Sequence, residues 1–242
     1  MNMILPLALL TSLLAVSPVF AQQAGDTIIN LGVAYIVPNA SASTPVSTGT
    51  PAAATFNGLL AGTDASIANE TTASLSVLQM LTNNLAAELS VGVPPTLKIS
   101  LNLPNGTIPQ SHPDAAQAKA LTPALVGKYL FNTPQDPFRP YLGLGVTYAS
   151  FRDVSINTSD PTLVTVAGTS AKLRSSWAPV YNLGVIYNID KKWSINASVS
   201  YIPLESEITL LGGASTPGAG LTTKSTLTIN PTDYVVRIGY KF

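Results

Sequence analysis

The sequence predicts an all-β fold: an eight-stranded antiparallel transmembrane β-barrel with long extracellular loops and short periplasmic turns. Three observations predict it. The chain is hydrophobic on average, with a mean hydropathy of +0.31, 46% hydrophobic and only 10% charged residues, yet a single apolar run approaches the roughly 20 residues a spanning helix needs. Elsewhere hydrophobicity alternates with period 2, in segments long enough for a tilted strand to cross a bilayer. The connections between these segments are alternately short and long, as in outer-membrane barrels.

The apolar run, residues 4–16, spans 13 residues and is too short to cross. It leads to Val19-Phe20-Ala21, with small residues where a signal peptidase reads, and then polar Gln22-Gln23. Residues 1–21 are therefore read as a cleaved secretory signal, and residues 22–242 as the barrel domain of a Gram-negative outer membrane. The n-region carries no Lys or Arg, and an uncleaved anchor is the alternative.

Eight segments alternate: 28–37, 72–80, 85–93, 124–131, 141–151, 177–189, 193–202 and 226–242. In the seventh, Trp193, Ile195, Ala197, Val199 and Tyr201 share one face, and Ser194, Asn196, Ser198 and Ser200 the other. An aromatic at each end of the apolar face matches the two interfacial girdles of a barrel. In the eighth, Tyr234, Val236, Ile238, Tyr240 and Phe242 oppose Asp233, Val235, Arg237, Gly239 and Lys241. A soluble sandwich also alternates, but it leaves either the aromatic stripe or Arg237 and Lys241 unexplained. Short polar turns join the second segment to the third, the fourth to the fifth, and the sixth to the seventh. The other connections are long and rich in Gly, Pro, Ser and Thr. Both termini then lie on the periplasmic side, and an even number of strands closes the sheet without edges.

The stretch Phe138-Arg139-Pro140-Tyr141-Leu142-Gly143-Leu144-Gly145-Val146-Thr147-Tyr148 resembles the fifth-strand signature of the OmpW family of small outer-membrane barrels. Lys172-Leu173-Arg174-Ser175-Ser176-Trp177, the hairpin from Tyr187 to Trp193 and the ending Ile238-Gly239-Tyr240-Lys241-Phe242 resemble that family too. Ser200-Tyr201-Ile202-Pro203 and Val91-Gly92-Val93-Pro94 are similar to its AlkL-like branch of hydrophobic-compound importers. The likeness covers the second to eighth segments; the first two long loops match poorly. It implies a barrel that passes small hydrophobic molecules inward and releases them sideways through its wall into the bilayer. The terminal Phe242 fits the aromatic end that such barrels present to their assembly machinery.

The residues themselves support such a route. Eight strands leave an interior about filled by side chains. The inward positions are mostly small, but Asn30, Glu88, Lys128 and Arg237 cluster near the periplasmic strand ends. Buried charges require partners, so these four are expected to pair and plug the lumen, whether for transport or as the ordinary polarity of a small barrel. A plugged lumen is no diffusion porin, and an exit through the wall requires broken ladder bonds. Pro94, Pro95 and Pro123 lack the N–H and fall on neighbouring strands at one seam. Pro179 and Pro203 form a rival seam; all of these prolines are also compatible with plain strand ends. Above the membrane, Leu97, Ile99, Leu101 and Leu103 alternate with polar residues and, with Phe151, are candidates to line a hydrophobic funnel. Packing against Phe56, Leu59, Leu60 or Leu163 of other loops is the alternative, and parts of these Ser/Thr/Pro/Gly-rich loops are expected to be mobile.

Other functions find little support. No cysteine is present, which excludes disulfides and thiol chemistry, and the single histidine, His112, excludes a multi-histidine metal site. His112 sits in Ser111-His112-Pro113-Asp114, read as a Pro-flanked loop without support for catalysis. Twelve basic residues balance twelve acidic ones, giving no charge for nucleic acid. No enzyme activity, metal or cofactor is expected; the partners are small hydrophobic molecules and outer-membrane lipid. The serious competitor is a structural or surface-receptor barrel for adhesion, phage or bacteriocin, discriminated by whether an apolar cavity reaches the wall in the outer half.

Overall fold

The computed structural model describes residues 22–103, 110–212 and 219–242; the secretory signal assigned to residues 1–21 lies outside them. In chain order the elements are β1 (Thr27–Val37), β2 (Ser41–Ala42), β3 (Val46–Thr48), α1 (Ala53–Leu60), β4 (Asp64–Ile67), β5 (Glu70–Met80), β6 (Leu85–Gly92), β7 (Thr96–Leu103) and β8 (Gln110–Leu121). There follow β9 (Ala124–Leu130), β10 (Phe138–Ile156), α2 (Pro161–Ala167), β11 (Ser170–Leu173), β12 (Ser176–Asn188), β13 (Trp193–Tyr201), β14 (Glu205–Leu211), β15 (Thr222–Thr228) and β16 (Thr232–Lys241). No described helix is long and apolar enough to cross a membrane.

Eight strands close into an antiparallel barrel in the order β1-β5-β6-β9-β10-β12-β13-β16, with β16 returning to β1. Side-chain alternation sets which face is which. Leu31, Val33, Leu75, Leu89, Leu144, Leu183, Val236 and Ile238 point outward and exposed, a surface that only lipid can cover favourably. Aromatics bracket this band. On the outer side Tyr35 meets Tyr234 and Tyr148 meets Trp177; on the periplasmic side Trp193 meets Tyr240, which meets Phe242. The periplasmic turns are capped by carboxylates. Asp136 accepts from the Thr133 hydroxyl and amide, and Asp190 from the amides of Lys192 and Trp193, and these bonds hold both carboxyls below the usual range.

The register corrects the eighth segment. Residues 226–228 belong to β15, outside the barrel; Ile229-Asn230-Pro231 breaks the chain, with Asn230 at φ 38°, and the barrel strand begins at Thr232. Depth also follows from register. Ala197 lies opposite Val236, midway between the girdles, whereas Val199 lies opposite girdle Tyr234. Arginine at Val236 is therefore expected to cost about 2–4 kcal/mol, and Ser198→Asn, facing the lumen, far less. Denaturant titration in liposomes measures both, and equal costs would place the register off by one residue.

The long connections are more ordered than their composition suggests. β4, β7 and β8 extend the sheet beyond β10, while β11, β14, β15, β2 and β3 form a second, five-stranded sheet. The two sheets face each other above the membrane over a shared apolar core, from Ile67, Leu97 and Ile99 on one side to Leu173, Leu204 and Leu227 on the other. α1 buries Phe56 and Leu60, and α2 buries Leu163. The loops expected to be partly mobile carry regular strands and helices over the described residues. The signal was there in Ala116, Ala118 and Ala120, buried alternately with exposed Gln117 and Lys119, but alanine is a poor strand former and hid it. His112, expected in a loop, lies in β8, and its Nδ1 is 2.6 Å from Asp160 Oδ2, not beside Asp114.

Candidate functional site

The lumen is built in layers. At the periplasmic mouth Arg139 is fully buried and donates to the main-chain carbonyls of Gln22 at 2.8 Å, Asn83 at 2.5 Å and Phe131 at 3.4 Å. Gln22 in turn donates to Asn188 at 3.0 Å. Above Arg139 lies an apolar layer of Ile28, Leu78, Met80, Ala86, Leu130 and Ile186, with the Tyr141 ring among them. The charged layer follows. Lys128 Nζ is 2.8 Å from Glu88 Oε2, and Arg237 Nη1 is 3.1 Å from Glu88 Oε1. Arg237 also donates to Ser74 Oγ through Nε and Nη2. Lys128 sits 4.2 Å above the Tyr141 ring, whose hydroxyl donates to Asn196 Oδ1 at 2.9 Å. Gly184 makes room for that ring, since a Cβ there would collide with the phenol.

The structure thus brings Glu88, Lys128 and Arg237 together, as alternation to the inside requires. Asn30 is buried at a nearby level but donates to Ser76 Oγ at 3.2 Å across β1–β5 rather than joining the ion cluster. The blockage is thicker than four polar residues. Arg139 escaped the sequence reading because residues 132–139 were read as the turn, although the inward parity of Gly143 extends back through Tyr141 to Arg139.

Above the charged layer a chamber opens, floored by Glu88, Ser74 and Arg237 and walled by Ser90, Asn182 and Ser198. Ile36, Pro95, Ala120, Thr122, Thr147, Ile202 and Asp233 line both it and an outer chamber, which adds the apolar Leu97, Phe151, Leu204, Ile229 and Pro231. Of the residues expected to line a funnel, Leu97 and Phe151 do so. Ile99, Leu101 and Leu103 do not. Ile99 and Leu101 pack into the core between the two extracellular sheets, and Leu103 is buried further along β7, because the strand carries them away from the axis.

One part of the chamber wall lacks a ladder. β6 and β9 pair only from Leu85↔Tyr129 to Ser90↔Ala124, the shortest of the eight barrel ladders. Beyond it the two edges are bonded away from each other. Val93 N donates to Ala73 O at 2.9 Å and its carbonyl accepts from Thr72 Oγ1 at 2.6 Å, both on β5. The Pro123 carbonyl accepts from Tyr148 N and Thr147 Oγ1, both on β10. Pairing resumes where Ala120 N donates to Pro95 O and Thr96 lies opposite Lys119. Within this gap Pro94 is exposed outward, Pro95 faces the chambers and Pro123 is half-buried. Gly92 and Thr122 line the inner chamber from its two edges. At the rival seam the β12–β13 ladder ends at Tyr181↔Tyr201, but buried Ile202 and Val180 close that wall, and Ile202 N is bonded to Pro231 O.

Comparison with known proteins agrees with this architecture. The OmpW family model matches residues 23–242. Outer membrane protein W of Vibrio cholerae is 34% identical over 231 residues, covering 95% of this chain and 94% of its own. Outer membrane protein AlkL of Ectopseudomonas oleovorans is 27% identical over 152 residues, 63% of this chain and 60% of its own. The crystal structure of OprG from Pseudomonas aeruginosa superposes with a TM-score of 0.76 at 26% identity, covering 93% of this chain and 99% of that one.

Proposed function

The chain belongs to the OmpW family of outer-membrane barrels, and from that premise we propose that it passively takes up small hydrophobic molecules and releases them sideways through the β6–β9 seam into the membrane. The observation that carries the reading is the interrupted seam, whose edges hydrogen-bond away from each other while lining a chamber open to an apolar vestibule. A hydrophobic solute gains about 25 cal/mol for each Å² withdrawn from water. It gains as much in lipid, so sideways release is close to neutral, whereas passage through the charged layer strands desolvated charge.

The girdle favours this seam as well. In the outer half of β5, β6 and β9 no aromatic projects into the interface; Val91, Val93 and Leu125 stand there instead. Amphipathic rings anchor a barrel wall at the headgroup level, and their absence leaves the seam edges in contact with acyl chains alone. Phe242, exposed at the periplasmic end with its amide on Thr27 O, is the element we assign to recognition by the assembly machinery.

Pro94→Val together with Pro123→Val restores two ladder donors at the seam. The double variant is expected to assemble normally, shown by heat-modifiable migration, and to take up a hydrophobic tracer several-fold more slowly in cells or proteoliposomes. Undiminished uptake would move the exit to the β12–β13 seam. No barrel-dependent uptake by the native protein would leave the structural or receptor role.

A further inference from the structure

The inner chamber is polar along one side. Register places Asn182, Ser200 and Asp233 next to one another on β12, β13 and β16, and all three line the chamber. Asn182 spends its amide donors on Ser200 Oγ at 2.9 Å and the Val199 carbonyl at 3.3 Å. Its Oδ1 and that of Asp233 are buried without a hydrogen-bond partner among the described residues, and Asn182 is only 8% exposed. A buried acceptor without a donor is costly. Of the nearby donors, Arg237 is committed to Ser74 and Glu88 and Thr147 to the Pro123 carbonyl. The Ser200 hydroxyl between the two acceptors carries one hydrogen and can answer only one of them, so the row has fewer donors than acceptors. The row also has a direction. β13 lies four strands from β6 around the barrel, so the acceptors look across the lumen toward the interrupted seam, with the apolar vestibule above.

We infer that Asn182 and Asp233 form a head-group site for amphiphiles that carry one hydrogen-bond-donating group, a primary alcohol or amine, on an aliphatic tail. The head donates to one of the two acceptors, and the tail lies across the chamber toward the seam or up among Leu97, Phe151 and Leu204. An alkane leaves both acceptors without a ligand donor, and a carboxylate brings a second anionic group beside Asp233. The inference rests on the uptake reading only for how the molecule leaves, not for its binding.

The test uses the full mature barrel in nanodiscs of deuterated lipid. Occupancy by octan-1-ol, octane and octanoate is read from NMR contacts to the chamber methyl groups of Val180 and Ile202. Octan-1-ol is expected to bind about tenfold more tightly than octane, the worth of about one net hydrogen bond, with octanoate no better than octane. Asn182→Leu with Asp233→Leu is expected to bring alcohol and alkane within twofold of each other, while Asp233→Asn, which keeps an acceptor oxygen, retains the preference. If the double leucine variant fails to give a heat-modifiable band, Asn182→Leu alone is read against Asp233→Asn in the same way. Equal binding of alcohol and alkane by the native barrel, or a preference that survives the leucine variants, overturns the head-group site and leaves water as the donor. Uptake is scored separately. Alcohol binding without uptake overturns the transport reading alone, and uptake without preference overturns the head-group site alone.

Discussion

Glu88→Ala is expected to destabilise the barrel by about 3–5 kcal/mol, the cost of leaving buried charge without its partner. Glu88 answers two cations at once, Lys128 at 2.8 Å and Arg237 at 3.1 Å, and side chains of all three are under a tenth exposed. Arg237 keeps its bonds to Ser74, and Lys128 keeps the Tyr141 ring, but neither supplies a counter-charge. Beneath them the apolar layer around Leu78 and Met80 bars water from the periplasmic side, so the stranded cations cannot be rehydrated from below. Replacing all three by apolar residues of similar volume, Glu88→Leu with Lys128→Met and Arg237→Met, is expected to recover most of the loss, because the desolvation cost disappears with the charges. Denaturant titration in liposomes reads both changes. The native barrel is expected to show no steady ion conductance in planar bilayers, since Arg139, the apolar layer and the ion cluster lie in series. A Glu88→Ala barrel that unfolds at the native midpoint, or a native barrel that conducts steadily, would mean that the cluster is hydrated and seals nothing.

How much of this was legible in the sequence depended on which constraint shaped each residue. The membrane-spanning strands were plain because lipid outside and a packed lumen inside impose opposite chemistry at successive positions, as from Trp193 to Tyr201. The ion cluster was legible for the same reason: Glu88, Lys128 and Arg237 break the run of small inward residues on strands whose facing was already known. The extracellular sheets were legible only in part, because β2, β3, β4 and β11 are two to four residues long and the inward residues of β8 are alanines. β8 reads as a helix-like or loop stretch of alanines until Ala116, Ala118 and Ala120 are seen against Phe151 and Leu97. The funnel residues were half right. Alternation identified the buried face of β7, but only its first member, Leu97, lies low enough to reach the chamber, and the distance of a residue from the axis is a property of tertiary packing that period 2 does not carry. The head-group row needed the register of three strands, since Asn182, Ser200 and Asp233 are far apart in sequence.

Bridging the β6–β9 seam is expected to abolish uptake. The native chain has no cysteine, so Gly92→Cys and Thr122→Cys introduce the only two thiols, one on each edge of the gap. Thr122 is exposed, and a Cβ added at Gly92 comes no closer than 3.4 Å to its neighbours Ala73 and Thr72, so both positions accept the change without forcing the wall. A short bis-maleimide, which tolerates a range of spans where a disulfide does not, then ties the edges together. Unreacted, the double variant should take up a hydrophobic tracer at the native rate. Bridged, it should fall to the rate of cells or liposomes without the barrel, because the vestibule still fills but its floor is sealed by the ion cluster and its wall no longer parts. Mono-maleimide labelling controls for bulk at the two sites, and the same bridge between Pro179→Cys and Pro203→Cys should leave uptake intact. The reverse pattern, a block at positions 179 and 203 and none at 92 and 122, would assign the exit to the seam that Ile202 closes in this conformation, and would require Ile202 to move for every molecule released.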